Sequence, residues 1–190
     1  MGEELSEKDK GFLLKLARQA IEHFFKTGKV LEVPPDEIDS PALIEDGACF
    51  VTLHSDGDEL RGCIGSLEAH RPLFTDIIGN ALASAFEDLR FTPLTQPELK
   101  DVKISISILT KPVRFDGGGE GLFRALEPGK HGLIIQKGVA RATFLPAVWK
   151  QLPEKEQFLN QLCLKAGMGP GAWKDEGVEF FLYEAVEFSE

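Results

Sequence analysis

Apolar residues recur at two spacings along this 190-residue chain, and each spacing predicts a different kind of element. Between Ser6 and Gly28, the positions Phe12, Leu13, Leu16, Ala17, Ala20, Ile21 and Phe24 share one face of a 3.6-residue repeat. Ser6 can cap that helix, Glu7 and Asp9 suit its first turn, and Gly28 suits its exit. A second helix is expected over 71–91, with Pro72 in its first turn. Its stripe runs from Phe74 through Ile77, Ile78, Ala81, Leu82, Ala85 and Phe86 to Leu89. A third, over 154–168, carries Phe158, Leu159, Leu162, Cys163 and Ala166 on one side.

Strict alternation takes over elsewhere. In "VKISISI" (102–108), Val102, Ile104, Ile106 and Ile108 point inward, which predicts a half-buried strand. "ACFVTLHSDGDELRGCIGSL" (48–67) reads as a hairpin around Asp56-Gly57. A two-residue turn there sets Phe50 opposite Cys63 and Thr52 opposite Arg61. Cys49, Val51, Leu53, Leu60, Gly62 and Ile64 then form an apolar face, with Arg61, Cys63 and Gly65 on the other. A three-residue turn would oppose Cys49 to Cys63, but it would set Arg61 among Val51 and Leu53 and is disfavoured. A second hairpin is expected in "HGLIIQKGVARATFL", turning at Lys137-Gly138, and a closing strand in "VEFFLYEAVEF". "EGLFRAL" suits a short helix, while the proline-rich 31–41 and the glycine-rich 116–121 read as loops. Hairpins forbid an all-parallel sheet, so the expected fold is α+β (mixed α/β), a largely antiparallel sheet flanked by helices.

Charge and cysteine content narrow the function classes. With 31 acidic and 21 basic residues the chain carries −10, and it has no cluster of Lys and Arg to neutralise phosphates, so nucleic acid is not an expected partner. No apolar run nears the roughly 20 residues that span a bilayer, and the charged N-terminus lacks a signal region. Three cysteines without a C-x-x-C pair suit a reducing compartment, and a cytoplasmic location is expected. The loop "DGGGEG" is acidic and lacks a following G-K-[ST], which argues against a phosphate cradle.

The chemistry concentrates in "LRGCIGS" (60–66). Cys63 sits on the mixed face of the hairpin with Arg61 two residues away, and a neighbouring cation stabilises a thiolate. Gly62 and Gly65 leave backbone open to close approach. Arg61 could orient a small anionic substrate or pair with an acidic neighbour such as Glu59. His131, ahead of the second hairpin, is the candidate base for a thiol nucleophile, and a structural turn histidine is its other reading. His23, His54 and His70 receive no catalytic assignment. Cys49 and Cys163 fall on core faces, no close-spaced ligand pair marks a metal site, and no cofactor is identified.

"LRGCIGS" resembles the signature of the AMMECR-one domain family, the A component of the AmmeMemoRadiSam system. The resemblance continues through "FEDLRFTPLTQPEL", "KISISIL", "GKHGLIIQKG", "FLP", "FLNQLCLKAG", the Trp173 region and "AVEF", in order along nearly the whole chain. Ser66 stands where the family has Thr, and Leu89 where it has Pro. The resemblance implies a mixed α/β domain of a larger and a smaller subdomain, and an association with a Memo-type protein and a radical SAM enzyme. It implies no particular reaction. The leading expectation is an enzyme component using Cys63, with Arg61 and His131 in support. The alternative is a non-catalytic binding or adaptor module for the same partners.

Overall fold

Helix α1 (Glu7–Thr27) forms where the first stripe predicts it, and both of its ends are fixed by local chemistry. The Ser6 hydroxyl accepts from the Asp9 N–H while the Asp9 carboxylate accepts from the Ser6 N–H, and Gly28 closes the helix at φ 67°. The computed structural model describes residues 5–55 and 57–190, a mixed α/β chain with two antiparallel four-stranded sheets.

Two compact units divide it. The first runs through Leu109 and takes back Val186–Glu190; the second is Thr110–Ala185. The first sheet comprises β1 (Ala48–His54), β2 (Leu60–Gly65), β3 (Lys103–Leu109) and β8 (Ala185–Ser189), in the order β2-β1-β3-β8. Its inward face, with Val51, Leu53, Ile104 and Ile106, packs on α1 and on α3 (Leu73–Phe86) through Leu13, Ile21 and Ile77. Each such fully buried aliphatic side chain contributes about 1.5–3 kcal/mol. A short helix α2 (Pro41–Ile44) begins at the last proline of the proline-rich segment.

The second sheet comprises β4 (Val113–Phe115), β5 (Gly132–Lys137), β6 (Ala140–Phe144) and β7 (Glu179–Tyr183), in the order β4-β7-β5-β6. Its core gathers Leu133, Ile135 and Phe180 with Leu122 of α4 (Gly118–Ala125), Phe158 and Leu162 of α5 (Lys155–Lys165), and both tryptophans.

Four expectations need correcting. The glycine-rich loop is largely helical, because α4 begins at Gly118. The closing strand is two strands in different sheets, β7 and β8, parted at Glu184. The second hairpin turns at Gly138-Val139, between paired Lys137 and Ala140. In the first hairpin Thr52, not Phe50, faces Cys63, and Phe50 faces Gly65. Asp56 of the expected turn lies outside the described residues, but the flanking pairing is clear: Leu53 faces Gly62 and His54 faces Leu60, so Arg61 is the extra residue of a bulge. The register moves by two residues, an even number, so the predicted faces survive from Gly62 to Gly65, whereas Leu60, expected on the apolar face, is set by the bulge opposite outward-facing His54 and is exposed.

Gly62 carries the closest approach in the first unit. A Cβ there would fall 2.2 Å from the Ser84 carbonyl oxygen of α3. Gly62→Ala is therefore expected to cost about 1–3 kcal/mol in urea unfolding, since strand and helix must part. Gly11→Ala, at an exposed α1 position with nothing within 4 Å of the new methyl, is expected to stabilise by about 0.5–1 kcal/mol. Equal effects at the two positions would contradict this packing.

Candidate functional site

The signature strand β2 lies at the edge of its sheet, so its outward backbone groups need partners that no strand supplies. Side chains from the end of α3 and the turn beyond it fill that role. Asp88 Oδ2 accepts from the Cys63 N–H at 2.9 Å, and Arg90 Nη2 donates to the Cys63 carbonyl at 3.1 Å. Asp88 and Arg90 are themselves paired through Nε at 2.9 Å and Nη2 at 2.6 Å. The Ser84 hydroxyl accepts from the Ile64 N–H and donates to the Val51 carbonyl, bridging a facing pair of the hairpin. The Arg90 guanidinium, with the burial of Asp88 opposing it, holds that carboxyl well below the usual carboxylate range.

This arrangement also ends the helix. The α3 stripe predicted burial through Leu89, but α3 stops at Phe86 and Leu89 is fully exposed. The chain turns so that Asp88 reaches β2, and the Leu94 N–H returns to the Ala85 carbonyl. Sequence periodicity could not see this, because Leu89 continues the spacing while the turn is fixed by a long-range bond.

The other end of the signature is fixed by a buried carboxylate. Asp76 of α3, with no solvent exposure, accepts from Ser66 Oγ, Arg71 Nε, Asn80 Nδ2, and the N–H and thiol of Cys49. Burial, and then the Asp76 charge, push the Cys49 thiol up, so Cys49 is a donor in this network. A hydroxyl at residue 66 suffices for the Asp76 bond. Burial likewise pushes the Cys163 thiol up.

Cys63 differs from both: it is partly exposed, and Thr52 Oγ1 lies 3.2 Å from its Sγ. The same outward face carries Phe50, Thr52 and His54 on β1 and, opposite them, Ser107, Ser105 and Lys103 on β3. Gly65 gives Phe50 its space, since a Cβ there would meet the ring at 2.3 Å.

Arg61, on the same strand as Cys63, is committed. Its Nε lies 3.2 Å from Glu98 Oε1, its Nη2 reaches Glu98 and the Pro93 carbonyl, and its side chain is 14% exposed. Glu98 is the acidic partner, in place of the nearby Glu59. The Thr95 hydroxyl and N–H, together with Arg61, bring Glu98 down to about 2. His131 belongs to the second unit, where its Nδ1 accepts from the Glu127 N–H, its carbonyl accepts from Trp149 Nε1, and its Nε2 lies 3.9 Å from Glu184. The structure thus groups Cys63 with Arg61 on β2 and His131 with the turn preceding β5. Among the described residues, no three His, Cys, Asp or Glu side chains are gathered to hold a metal ion, and no helix is long and apolar enough to cross a membrane.

The clamp makes a pH prediction. Because Asp88 is depressed in the fold, its contribution is full above its unfolded value of about 4 and is lost as pH falls through the lower folded value. Asp88→Asn is expected to lose about 1–3 kcal/mol near neutrality, and the gap to wild type should close below about pH 4. A gap independent of pH in urea unfolding would contradict the clamp.

Comparison with known proteins agrees with the mixed α/β fold. The sequence pattern of the AMMECR1 family matches residues 14–188. A protein of Methanopyrus kandleri is 36% identical over 198 residues, covering 100% of this chain and 92% of its own. One from Methanosarcina mazei is 35% identical, covering 98% and 94%. The crystal structure of an uncharacterized protein from Pyrococcus horikoshii superposes with a TM-score of 0.81 at 38% identity, over 94% of this chain and 90% of that one. On family pattern, identity and coverage alike, the chain belongs to the AMMECR1 family.

Proposed function

We propose that the protein is an enzyme component whose reactive group is the Cys63 thiol, acting with a Memo-type protein and a radical SAM enzyme. One observation carries the reading. Of three cysteines, two are sealed in cores, while Cys63 alone is partly exposed, on an outward sheet face and beside a hydroxyl. The reading rests on Cys63. An anionic substrate at Arg61 has to compete with Glu98 for the guanidinium, and His131 is not required.

A second reading, a non-catalytic adaptor for the same partners, draws on Leu89. That residue is apolar, fully exposed, and flanked by the two side chains that grip Cys63. An adaptor surface there predicts that Leu89→Asp weakens partner binding while Cys63→Ser leaves it unchanged.

The test is alkylation of the native protein followed by peptide mass mapping. One thiol, Cys63, is expected to label under native conditions, with Cys49 and Cys163 labelling only after unfolding. Cys63→Ala is expected to abolish pathway function while the fold is retained. Intact function in that variant overturns the enzyme reading and leaves the adaptor.

A further inference from the structure

His54 Nδ1 is the one buried side-chain nitrogen or oxygen among the described residues without a hydrogen-bond partner. Such an orphan in a native structure calls for a reason, and a group that moves protons is one. Its position supplies the reason. His54 ends β1 on the outward face, one residue beyond Thr52 in the alternation, and Thr52 is the residue that faces Cys63 and touches its thiol. The bulge at Arg61 brings Leu60 opposite His54 and leaves Thr52 opposite Cys63, so His54 and Cys63 share one side of the sheet. Alternate residues of a strand lie about 7 Å apart at the backbone, so from His54 an imidazole and the Thr52 hydroxyl or one water span to the thiol that Thr52 touches.

The geometry points to His54 as the proton acceptor of the Cys63 site. The inference rests on the reactive-thiol reading above and names a base within the same unit and on the same sheet face. In the step, the Cys63 S–H gives its proton to the neutral imidazole, leaving a thiolate and an imidazolium with no change in total charge. Nothing is oxidised or reduced. The imidazolium has a counter-charge at hand, because Asp58 Oδ1 lies 3.7 Å from Nδ1, an ion-pair distance too long for a hydrogen bond. The other charged groups around His54 are Lys103, directly opposite on β3, and Glu59 and Arg61 on the β2 side, with Arg61 already neutralised by Glu98. Sequence alone hid His54 because it falls at a hairpin end, and its side-chain neighbours come from the register and the bulge.

The experiment is the pH dependence of Cys63 alkylation by iodoacetamide in the full chain, from pH 5 to 10, for wild type and His54→Gln. Wild type is expected to react at pH 7 roughly tenfold faster than His54→Gln, with the two rates converging near pH 10 where the thiol ionises unaided. Superimposable profiles with Cys63 still labelled overturn the role of His54 and leave the thiol reading standing. No native labelling in either protein overturns both. Should His54→Gln fail to fold, the ring-proton NMR titration of His54 in wild type and Cys63→Ser decides: its midpoint is expected to differ between them, and an identical midpoint overturns the pairing.

Discussion

The hydrogen bonds that bind Cys63 of the edge strand to Asp88 and Arg90 are the constraint on which the rest of the first unit depends. An edge strand leaves half its backbone groups facing outward, and those groups must be satisfied if the strand is to hold one geometry. Here a paired carboxylate and guanidinium do what a neighbouring strand would do, accepting from one amide and donating to its carbonyl. For them to arrive, α3 must stop at Phe86 and the chain must turn, which carries Leu89 out into solvent. For the strand to meet them, residue 62 must have no side chain, because the Ser84 carbonyl occupies the place of a Cβ. The two ends of the signature are thereby tied to one helix, by Asp88 and Arg90 just beyond it and by Asp76 within it.

The consequence is a division of labour among three thiols. Cys49 is a hydrogen-bond donor to Asp76 inside the core, and Cys163 fills the second core. Cys63 keeps its backbone fixed while its sulfur stays on the outward face near a threonine hydroxyl. Fixing the backbone rather than the sulfur is the arrangement that chemistry at the sulfur asks for, since a reacting group must be oriented without being buried. Arg61, the obvious cation beside Cys63, instead ties β2 to the segment between Pro93 and Glu98.

Much of this was legible before the structure. Helix α1, with its Ser6 cap and Gly28 exit, follows from spacing and end chemistry, and β3 from strict alternation, because local preference and burial agree there. The faces of the hairpin were also legible beyond the bulge, including Cys63 on the outward side, while Leu60 before it was not. Its register was not: a bulge at Arg61 is a property of the pairing, and alternation is blind to a shift of two. The over-long α3 failed for a related reason, since Leu89 obeys the helical period and only the distant Cys63 amide dictates the turn. The closing segment read as one strand because β7 and β8 share an apolar, aromatic character, and nothing in composition says that a chain changes sheets at Glu184. Within the candidate site, Cys63 was visible as a residue type on a face, whereas Asp88, Arg90 and Ser84 matter through contacts more than 20 residues away, except for the Ser84 bond at a separation of 20.

Hydrogen exchange of the Cys63 backbone amide tests the central claim most directly. If Asp88 grips that amide, it exchanges as slowly as the amides of the interior strand β1, and Asp88→Ala releases it while the β1 amides stay protected. A Cys63 amide that exchanges in wild type at the rate of an open strand edge would contradict the account, because the thiol would then stand on a strand that nothing holds.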